Sequence, residues 1–490
     1  MRWLDDLTQD KPTGSIALID YDDTALTYGA LNAAIDEGAH ALQRLGVQPG
    51  DRIVVVAENC ALLAVMFLAA MKLRAWCVPA NARITAPELD AIRANATPRV
   101  TVFTTAVSAD AGAHAQRLGA SQGPEVLGAP LTVLVDPNAV TEPVHETPEQ
   151  QVAALVYTSG STGAPKGVML SHSSLLFNAL TTARQRGFAP GDVLVLAIPC
   201  THIMALSTAL LAGLSGGATV RLLARFTVEG LMNALAEGGT VTSGVPQMFE
   251  QIMRKLDAGE VALNAPRLRM MGAGGSPMDP ALKTRIEARF NIKFNNGYGL
   301  TEAGPGVTST VFGPPRSDGS IGYPYPGCEL RVAAPGEDGV GELQFRGPGV
   351  MLGYYKNPQA TAEAFTDDGF LRTGDLGRIE PDGAAHLVGR SKELIIRSGF
   401  NVYPPEVEAA LMACPGVVQA AVVGRIVPGN EEVLAFVTTD GKTEAATIAE
   451  FLKDRIAAYK RPQHVIIVPA MPLTSAGKIR KPALIAEFMP

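Results

Sequence analysis

The sequence predicts an α/β fold with a large N-terminal domain of doubly covered sheets, a small β-rich subdomain and a smaller α+β C-terminal domain. Three observations support this fold class. Short β-rich runs alternate with helical patterns as far as about residue 305. Gly, Pro and Asp then become more frequent, and a compact βαβ-like pattern begins at Glu393. Alternating strands and helices are typical of parallel sheets that are covered on both faces.

The alternating part supplies most of the predicted elements. Strands are predicted at 52–57, 99–103, 131–135, 153–158, 193–198, 240–245 and 268–274. Helices are predicted at 61–73 and 278–290, and the region 105–150, rich in Ala, Gly, Pro and Thr, is expected to be loop-like. The charge-free stretch 193–220 contains Pro and paired Gly, so it predicts a buried strand, a turn and a buried helix rather than a membrane span.

The C-terminal part predicts a separate domain. Short strands such as "GELQFRG" and "HLVGR" indicate the β-rich subdomain. After them the sequence predicts, in order, a strand "ELIIRSG", a helix "PPEVEAALMAC", strands "VVQAAVVGR" and "EVLAFVTT", a helix "TIAEFLKDRIA" and a strand "HVIIVP". We therefore predict an N-terminal domain at 1–391 and a C-terminal domain at 392–490.

Composition bounds the function classes. A chain of 490 residues that is 47% hydrophobic and 18% charged is expected to form two or more folded domains. A net charge of −7 argues against general nucleic-acid binding. Five dispersed cysteines without a C-x-x-C pair indicate a reduced, cytoplasmic protein, and the N-terminus has no apolar region typical of a signal peptide.

A Gly-, Ser- and Thr-rich segment, "YTSGSTGAPKGVMLSH" at 157–172, is typical of an anion-binding loop. Gly allows close backbone approach, and successive N–H groups form a concave nest for oxygen atoms. The hydroxyls of Ser159, Ser161 and Thr162 and the ammonium of Lys166 add further donors. The Walker A spacing is absent, so a phosphate loop here belongs to another class. The alternative is a solvated turn between a strand and a helix.

Three weaker clusters leave alternatives open. In "NNGYGLTEAGPG", Tyr298 could lie against a ring, Thr301 offers a hydroxyl and Glu302 offers a carboxylate suited to Mg²⁺, but a Gly-rich loop with a core Tyr and a surface Glu fits equally well. In "FLRTGDLG", Asp375 could accept ribose hydroxyls or form an Asx-turn. Lys478 in "PLTSAGKIRK" is by itself an ordinary surface lysine. Rossmann, G-x-S-x-G and H-E-x-x-H signatures are absent from the sequence.

Taken in order, "YTSGSTGAPKG", "GYGLTE", "RTGDLG", "GRSKELIIRSGFNVYPPEVE" and "PLTSAGKIRK" resemble the adenylate-forming superfamily. Its members include AMP-dependent acyl- and aryl-CoA synthetases, stand-alone adenylation domains and beetle luciferases, and the resemblance runs from about residue 15 to the end. It implies that a carboxylic acid attacks the α-phosphorus of ATP to give acyl-AMP, and that a thiol, usually that of coenzyme A, then displaces AMP. ATP, Mg²⁺ and coenzyme A are the implied cofactors.

The resemblance also implies site residues. The implied nucleotide and CoA site consists of Thr158, Ser159, Gly160, Ser161, Thr162, Lys166, Gly274, Gly275, Ser276, Pro277, Asn296, Gly297, Tyr298, Gly299, Thr301, Asp375, Arg390, Lys392, Gly399 and Lys478. Thr301 would touch the α-phosphate, Glu302 would hold Mg²⁺, and Lys478 would bridge the carboxylate and the α-phosphate. Tyr298 would stack on adenine, and Asp375 and Arg390 would bind the ribose.

By the same resemblance, the C-terminal domain is mobile. It would pivot at Lys392 between the two half-reactions, presenting Lys478 in one state and the segment around Gly399, where pantetheine enters, in the other. Some related ligases carry Lys at the position of Ile396, whereas the nearest cation in this chain is Arg397.

The implied acyl pocket is apolar. It would be lined by His202, Met204, Leu206, Val245 and Gly274, and no Lys or Arg occurs in the segments "IPCTHIMALS", "TSGVPQM" and "GAGG". His202, which the resemblance places among the catalytic residues, could instead be an ordinary core histidine. A neutral acyl or aryl acid fits these segments better than a dicarboxylate.

Four kinds of function remain open at this point. An acid–CoA ligase, which could form a homodimer, is favoured over a stand-alone enzyme that loads a separate carrier protein. A nucleotide-responsive binding protein with degenerate chemistry and, more remotely, a luciferase-like oxygenase are the others.

Overall fold

The strands of the molecule are given by a computed structural model, which describes residues 3–158, 165–397, 400–427, 430–473 and 479–489. In chain order they are β1 Ile16–Ile19, β2 Ala25–Thr27, β3 Arg52–Ala57, β4 Trp76–Asn81, β5 Val100–Phe103, β6 Ser121–Val126, β7 Ala129–Val135, β8 Val152–Thr158, β9 Lys166–Ser171, β10 Val193–Leu196, β11 Thr219–Leu222, β12 Val241–Gly244, β13 Met270–Ala273, β14 Phe294–Gly299, β15 Gly306–Ser309, β16 Tyr323–Pro324, β17 Glu329–Ala333, β18 Gly341–Arg346, β19 Gly353–Tyr354, β20 Leu371–Ile379, β21 Ala385–Arg390, β22 Ile395–Arg397, β23 Phe400–Val402, β24 Val417–Val427, β25 Asn430–Thr439 and β26 His464–Ile467.

Helices separate many of these strands. The α-helices are α1 Tyr28–Arg44, α2 Ala61–Lys72, α3 Ala86–Ala96, α4 Ala109–Leu118, α5 His172–Gln185, α6 Ile203–Ala205, α7 Ala212–Ser215, α8 Val228–Ala236, α9 Pro246–Asp257, α10 Pro280–Phe290, α11 Pro358–Ala364, α12 Pro404–Met412, α13 Ala445–Phe451 and α14 Lys481–Phe488. A π-helical segment, Leu206–Leu211, joins α6 to α7. Within the described ranges, no helix is both long and apolar enough to cross a bilayer.

The chain divides into two compact units. The first comprises Met1–Leu330 and Phe345–Leu371, and the second comprises Arg331–Gln344 and Arg372–Pro490. This division groups part of the β-rich subdomain with the C-terminal residues. The predicted boundary between residues 391 and 392 stays a prediction.

The first unit contains a nine-stranded sheet in the order β16-β15-β14-β13-β12-β10-β11-β1-β2. Its central strands, from β14 to β1, run parallel, as the alternating pattern predicts. Apolar residues of α8, α9 and α10 cover one face. The end of α5 and the helix α7 pack on the other face, against Leu194 and Val241. This second face carries part of the candidate site.

The other sheet of the first unit has eight strands in the order β19-β9-β8-β4-β3-β5-β7-β6. Here the loop-like expectation for 105–150 is wrong for α4 and β6, whereas the strand predicted at 131–135 is confirmed as β7, which pairs with β6 in a hairpin. Ser108 caps α4 at its start, and Gly119 ends it in a left-handed conformation. The hairpin turns at Leu127 and Gly128, both with positive φ, as a two-residue turn requires.

The second unit is β-rich. Most of a four-stranded sheet, β17-β18-β20-β21, belongs to it, together with the ribbon β22–β23 and the three-stranded sheet β24-β25-β26. In the last sheet β25 is antiparallel to β24 and parallel to β26. The helices α12 and α13 pack on this sheet, with Val407 and Ile448 in the shared core.

A buried histidine, His172, packs against the N-terminal segment of the first unit. His172 is 0% exposed, and neither of its ring nitrogens has a hydrogen-bond partner among the described residues. Its ring packs edge-on against Trp3, with 5.1 Å between centroids, and the guanidinium of Arg74 lies 3.8 Å from the centroid of the Trp3 ring. Burial, aided by the Arg74 charge, lowers the pKa of His172 to about 3.

This histidine makes stability depend on pH. In the unfolded chain this histidine binds a proton below about pH 6.5, whereas in the folded protein it binds one only below about pH 3. We therefore expect the free energy of unfolding to fall as the pH falls from 6.5 to 3. One proton corresponds to a slope of up to about 1.4 kcal/mol per pH unit. Urea unfolding of wild type and His172→Phe at pH 6.5 and 5.0 measures the difference in slope. His40→Gln, which alters an exposed histidine, is the control, and equal slopes for wild type and His172→Phe contradict the prediction.

Candidate active site

The segment with phosphate-loop character connects two paired strand ends. Thr158 is the register partner of Lys166 across the antiparallel pair β8–β9, so the chain turns back on itself between them. A strand therefore follows the loop, rather than the helix that the alternative interpretation assumed. A Cβ at Gly167 would lie 2.9 Å from a Leu155 methyl and 3.2 Å from the Tyr157 ring, so these side chains would have to shift to admit a larger residue. The predicted ligands Ser159, Gly160, Ser161 and Thr162 lie outside the described residues.

A tyrosine connects Lys166 with Glu302. The Tyr354 hydroxyl donates a hydrogen bond to Glu302 Oε1 at 2.8 Å, and Lys166 Nζ lies 5.0 Å from the centroid of the Tyr354 ring. Burial and the adjacent Glu302 carboxylate raise the pKa of Tyr354, so the phenol keeps its proton and remains a donor. The β9–β19 pairing, with Tyr354 opposite Val168, fixes the position of the ring.

The backbone around Glu302 is held by a buried amide. Asn178, on α5, donates to the Ala303 carbonyl at 3.3 Å and accepts from the Gly306 N–H at 3.0 Å. The Met351 N–H donates to the Glu302 carbonyl at 2.8 Å. Because Asn178 is 0% exposed, these contacts fix the turn without competition from water.

The residues predicted to surround adenine lie on the neighbouring strands β13 and β14. Ala273, the last residue of β13, pairs with Asn296, so the segment containing Gly275, Ser276 and Pro277 leaves the sheet beside β14. Asn296 is buried, and its amide donates to the Ser320 carbonyl at 2.9 Å. Tyr298 is also buried, whereas Gly297 and Gly299 lie on the opposite, more accessible face of β14.

Three of the residues predicted to bind the acyl group, His202, Met204 and Gly274, lie close together. A Cβ at Gly274 would lie 3.1 Å from Met204 Sδ, so the helix α6 and the end of β13 converge there. His202 precedes α6, and its Nδ1 accepts a hydrogen bond from the Met204 N–H at 3.3 Å. Leu206 is buried, and Val245 is half-buried.

The predicted ribose ligands are adjacent within the second unit. Asp375 and Arg390 are register partners in β20 and β21, and Arg390 Nε lies 3.0 Å from Asp375 Oδ1. The carboxyl side chain is 7% exposed and the arginine side chain is 63% exposed, so the pair presents its cationic end to solvent. Lys392 is exposed in the short helical turn Ser391–Glu393.

Three further positions are those that the sequence predicts for the second half-reaction and for a catalytic lysine. Arg397 Nη1 donates to the carbonyls of Tyr459 and Arg461 at 2.9 and 2.8 Å, so this cation caps a neighbouring turn. Gly399 and Lys478 lie outside the described residues. Leu473 and Ile479, which border this gap in the described ranges, form an antiparallel bridge.

Comparison with known proteins decides the family. Residues 5–355 match the AMP-binding enzyme family, and residues 406–478 match the AMP-binding enzyme C-terminal domain. This chain belongs to the AMP-binding enzyme family. Feruloyl-CoA synthase from Amycolatopsis is 34% identical over 470 residues, which cover 94% of this chain and 93% of that protein. The long-chain-fatty-acid–CoA ligase FadD13 of Mycobacterium tuberculosis is 32% identical over 482 residues, 95% of this chain and 94% of that protein.

Solved structures agree with this assignment. ATP-bound MatB from Rhodopseudomonas palustris superposes with a TM-score of 0.85 at 29% identity, covering 98% of this chain and 97% of that chain. The o-succinylbenzoate coenzyme A synthetase MenE of Bacillus subtilis, in complex with ATP and magnesium, gives a TM-score of 0.82 at 26% identity, with coverages of 97% and 98%. The chain is thus an AMP-forming acid–CoA ligase with the large and small domains of this fold.

Sequence reasoning missed two residues of this ligase that position others. Asn178 appears as an ordinary polar residue within a helix, six positions after His172. Tyr354 follows Gly353, whose φ of +142° suits glycine, but nothing local indicates that its hydroxyl reaches Glu302. Both contacts join residues more than 50 positions apart, so no local pattern could have revealed them.

Removing the Tyr354 hydroxyl provides a test of its role. We expect Tyr354→Phe to raise the Mg²⁺ concentration for half-maximal adenylation by about 10–100-fold, as loss of a partner that orients a metal ligand typically does. Mg²⁺ titration of the acid-dependent ATP–pyrophosphate exchange rate measures it. Tyr355→Phe alters the adjacent tyrosine, whose hydroxyl binds Glu142, and is the matched control. An unchanged Mg²⁺ dependence in Tyr354→Phe contradicts the role.

Proposed function

We propose that this ligase couples a mainly apolar acyl or aryl acid, neutral apart from its carboxylate, to coenzyme A through an acyl-adenylate. The observation that carries the proposal is the linked trio Lys166, Tyr354 and Glu302, which joins the end of the anion-binding loop to a carboxylate. A cation and loop N–H groups suit pyrophosphate, and a carboxylate suits Mg²⁺, so their proximity is the arrangement that ATP chemistry requires.

The reaction has two displacements. A carboxylate oxygen of the acid forms a bond to the α-phosphorus, and the bond to the pyrophosphate oxygen breaks. The thiol of coenzyme A then loses its proton to solvent, and the resulting thiolate sulfur attacks the acyl carbon. The bond from the acyl carbon to the AMP oxygen breaks, and AMP leaves. No protein nucleophile takes part, so positioning and charge stabilisation account for the rate.

The protein groups divide this work. We assign the β- and γ-phosphates to the segment from Thr158 to Lys166, the α-phosphate to Thr301, and the linkage between acid and α-phosphate to Lys478. Asp375 and Arg390 are assigned to the ribose, and Tyr298 to adenine. His202 is assigned to the mouth of the acyl pocket, where its bond to the Met204 N–H supports the imidazole.

The donor set fits a magnesium ion. Glu302 presents oxygen ligands, which this hard cation prefers, and one of its oxygens is already oriented by Tyr354. The ion neutralises phosphate charge when bound. The MenE structure with ATP and magnesium supports this assignment by family membership.

The acid is inferred from the pocket walls. Met204, Leu206 and Val245 are apolar, and Gly274 leaves room beside the Met204 thioether. These walls suit a hydrocarbon or aromatic body. The relatives include a feruloyl-CoA synthase and a long-chain-fatty-acid–CoA ligase, which supports an apolar body but does not set its length.

The acceptor is tested by a thioester assay. Purified protein, ATP, Mg²⁺ and a panel of acids are incubated with coenzyme A or with a purified carrier protein, and AMP release is measured. We expect release that depends on coenzyme A. Release that requires the carrier protein and ignores coenzyme A would instead establish a carrier-loading enzyme. A cytoplasmic location and a homodimer stay predictions.

A further inference from the structure

Helices pack on both faces of the nine-stranded sheet, but several residues on one face are only half-buried. Along β14 buried and half-buried residues alternate, and the half-buried set includes Asn295 and Gly297. The same face of β13 includes half-buried Gly272, and that of β12 includes half-buried Ser243. Ser243, Gly272 and Asn295 are register partners in one row across the three strands. Solvent therefore reaches the interior along this row.

The helices leave space above the row. The three atoms nearest to a Cβ placed on Gly272 all belong to Asn295 on the neighbouring strand, the first at 3.1 Å. At Gly297 the nearest atom is 3.5 Å away and belongs to Thr308, also on a neighbouring strand. We name this accessible row and the glycines beside it the trough. Gly274, which is itself buried beside half-buried Met204, lies at the end of the trough towards the carboxyl ends of the strands.

An arginine stands at the inner end of the trough. Arg186, just after α5, is half-buried, and its Nη1 donates to Ser243 Oγ at 3.4 Å. Within the described part of the chain, no carboxylate forms an ion pair with this guanidinium, and Ser243 is the one hydrogen-bond partner of its side chain. A guanidinium carries five N–H donors, so most of those of Arg186 have no protein acceptor among the described residues.

Beyond Arg186 the trough is closed. Ala183, Phe188, Leu194 and Val241 form an apolar cluster there. Burial lowers the pKa of Arg186, which reflects the free-energy cost of keeping this charge away from bulk water. An oxygen atom on a ligand would offset that cost, whereas a methyl group would leave the donors unsatisfied.

We propose that Arg186, with Ser243, determines specificity by binding a hydrogen-bond-accepting oxygen at the far end of the acid. The acid would enter beside Met204 with its carboxylate outermost, lie along Gly274 and Gly272, and end at the guanidinium. This inference rests on the proposed function and deepens it, because an apolar body is retained and only its terminus is specified. The terminal oxygen is a neutral hydroxyl or a second carboxylate.

Matched acids provide the test. Cinnamic, 4-hydroxycinnamic and 4-carboxycinnamic acids form one series, and hexanoic, 6-hydroxyhexanoic and adipic acids form the other. The readout is kcat/KM for acid-dependent ATP–pyrophosphate exchange, which is independent of the thiol acceptor. In at least one series we expect an oxygen-terminated acid to exceed its apolar counterpart by about 10–100-fold, the usual value of a hydrogen bond to a charged group.

Variants then assign the preference to the side chain. Arg186→Met is expected to abolish the preference, because it should lower kcat/KM for the oxygen-terminated acid by about 10–100-fold more than for the apolar acid, and Arg186→Lys is expected to retain part of the preference. Arg184→Met, which alters an exposed arginine two residues earlier, should behave as wild type. Thermal melting confirms that each variant is folded, and the wild-type series tests the inference even if Arg186→Met fails to fold.

The outcomes are distinguishable. Preference for the hydroxyl acid or for the dicarboxylate supports the inference and identifies the terminus, and a dicarboxylate would also correct the neutral character proposed above. Equal use of all acids within both series, or an Arg186→Met defect that is the same for every acid, overturns the inference alone. Absence of exchange with every acid refutes the proposed function as well.

Discussion

Replacement of Lys478 by alanine should slow acyl-adenylate formation by about 10²–10³-fold, the usual effect of losing one preorganised contact to developing charge. The physical reason is that Lys478 is assigned to the negative oxygens of the acid and the α-phosphate as their bond forms. Acid-dependent ATP–pyrophosphate exchange measures the loss.

The same variant should spare the second half-reaction. When synthetic acyl-adenylate is supplied with coenzyme A, we expect Lys478→Ala to form thioester at near the wild-type rate. The bond between the acid and the α-phosphate already exists in this substrate, so the bond-forming step to which Lys478 is assigned is bypassed. Lys442→Ala, which changes an exposed lysine of the same unit, controls for net charge. Exchange by Lys478→Ala at the wild-type rate would show that another group carries this role.

Replacement of Glu302 by glutamine should lower kcat/KM for adenylation by about 10²–10³-fold, since it removes the charge assigned to Mg²⁺ binding while keeping the side-chain shape. A glutamine oxygen can still accept the hydrogen bond from Tyr354, so the fold of the turn should persist. We expect a higher Mg²⁺ concentration to restore part of the rate, because the defect lies in metal binding.

Two comparisons make this second prediction specific. Glu149→Gln, at an exposed position, should leave the Mg²⁺ dependence unchanged. In a double variant with Tyr354→Phe, the two losses should be less than additive, because Tyr354 is assigned to act through Glu302. A Glu302→Gln enzyme with wild-type Mg²⁺ dependence would remove Glu302 from the metal site.

Local patterns were sufficient for most elements of the fold. The strand at 52–57 and the helix beginning at Ala61 are predicted because their apolar residues form continuous runs bounded by polar residues. The helix within the region 105–150 was missed because its sequence has no such continuous apolar run. This helix, α4, buries only a narrow stripe that includes Ala111 and Ala115, so its small side chains resemble those of a loop.

The sequence by itself determined the family of this ligase and its class of reaction, because the ordered motifs around Lys166, Glu302, Asp375 and Lys478 resemble those of the adenylate-forming superfamily. Only the tertiary structure decided how distant residues cooperate. Tyr354 reaches Glu302 through strand pairing, and Arg186 reaches Ser243 because α5 packs on β12. The absence of cations from the acyl-pocket segments suggested an apolar pocket throughout, but a folded chain can bring a charge from another segment into contact with those residues. Such contacts depend on packing between elements far apart in the chain, which local residue patterns do not encode.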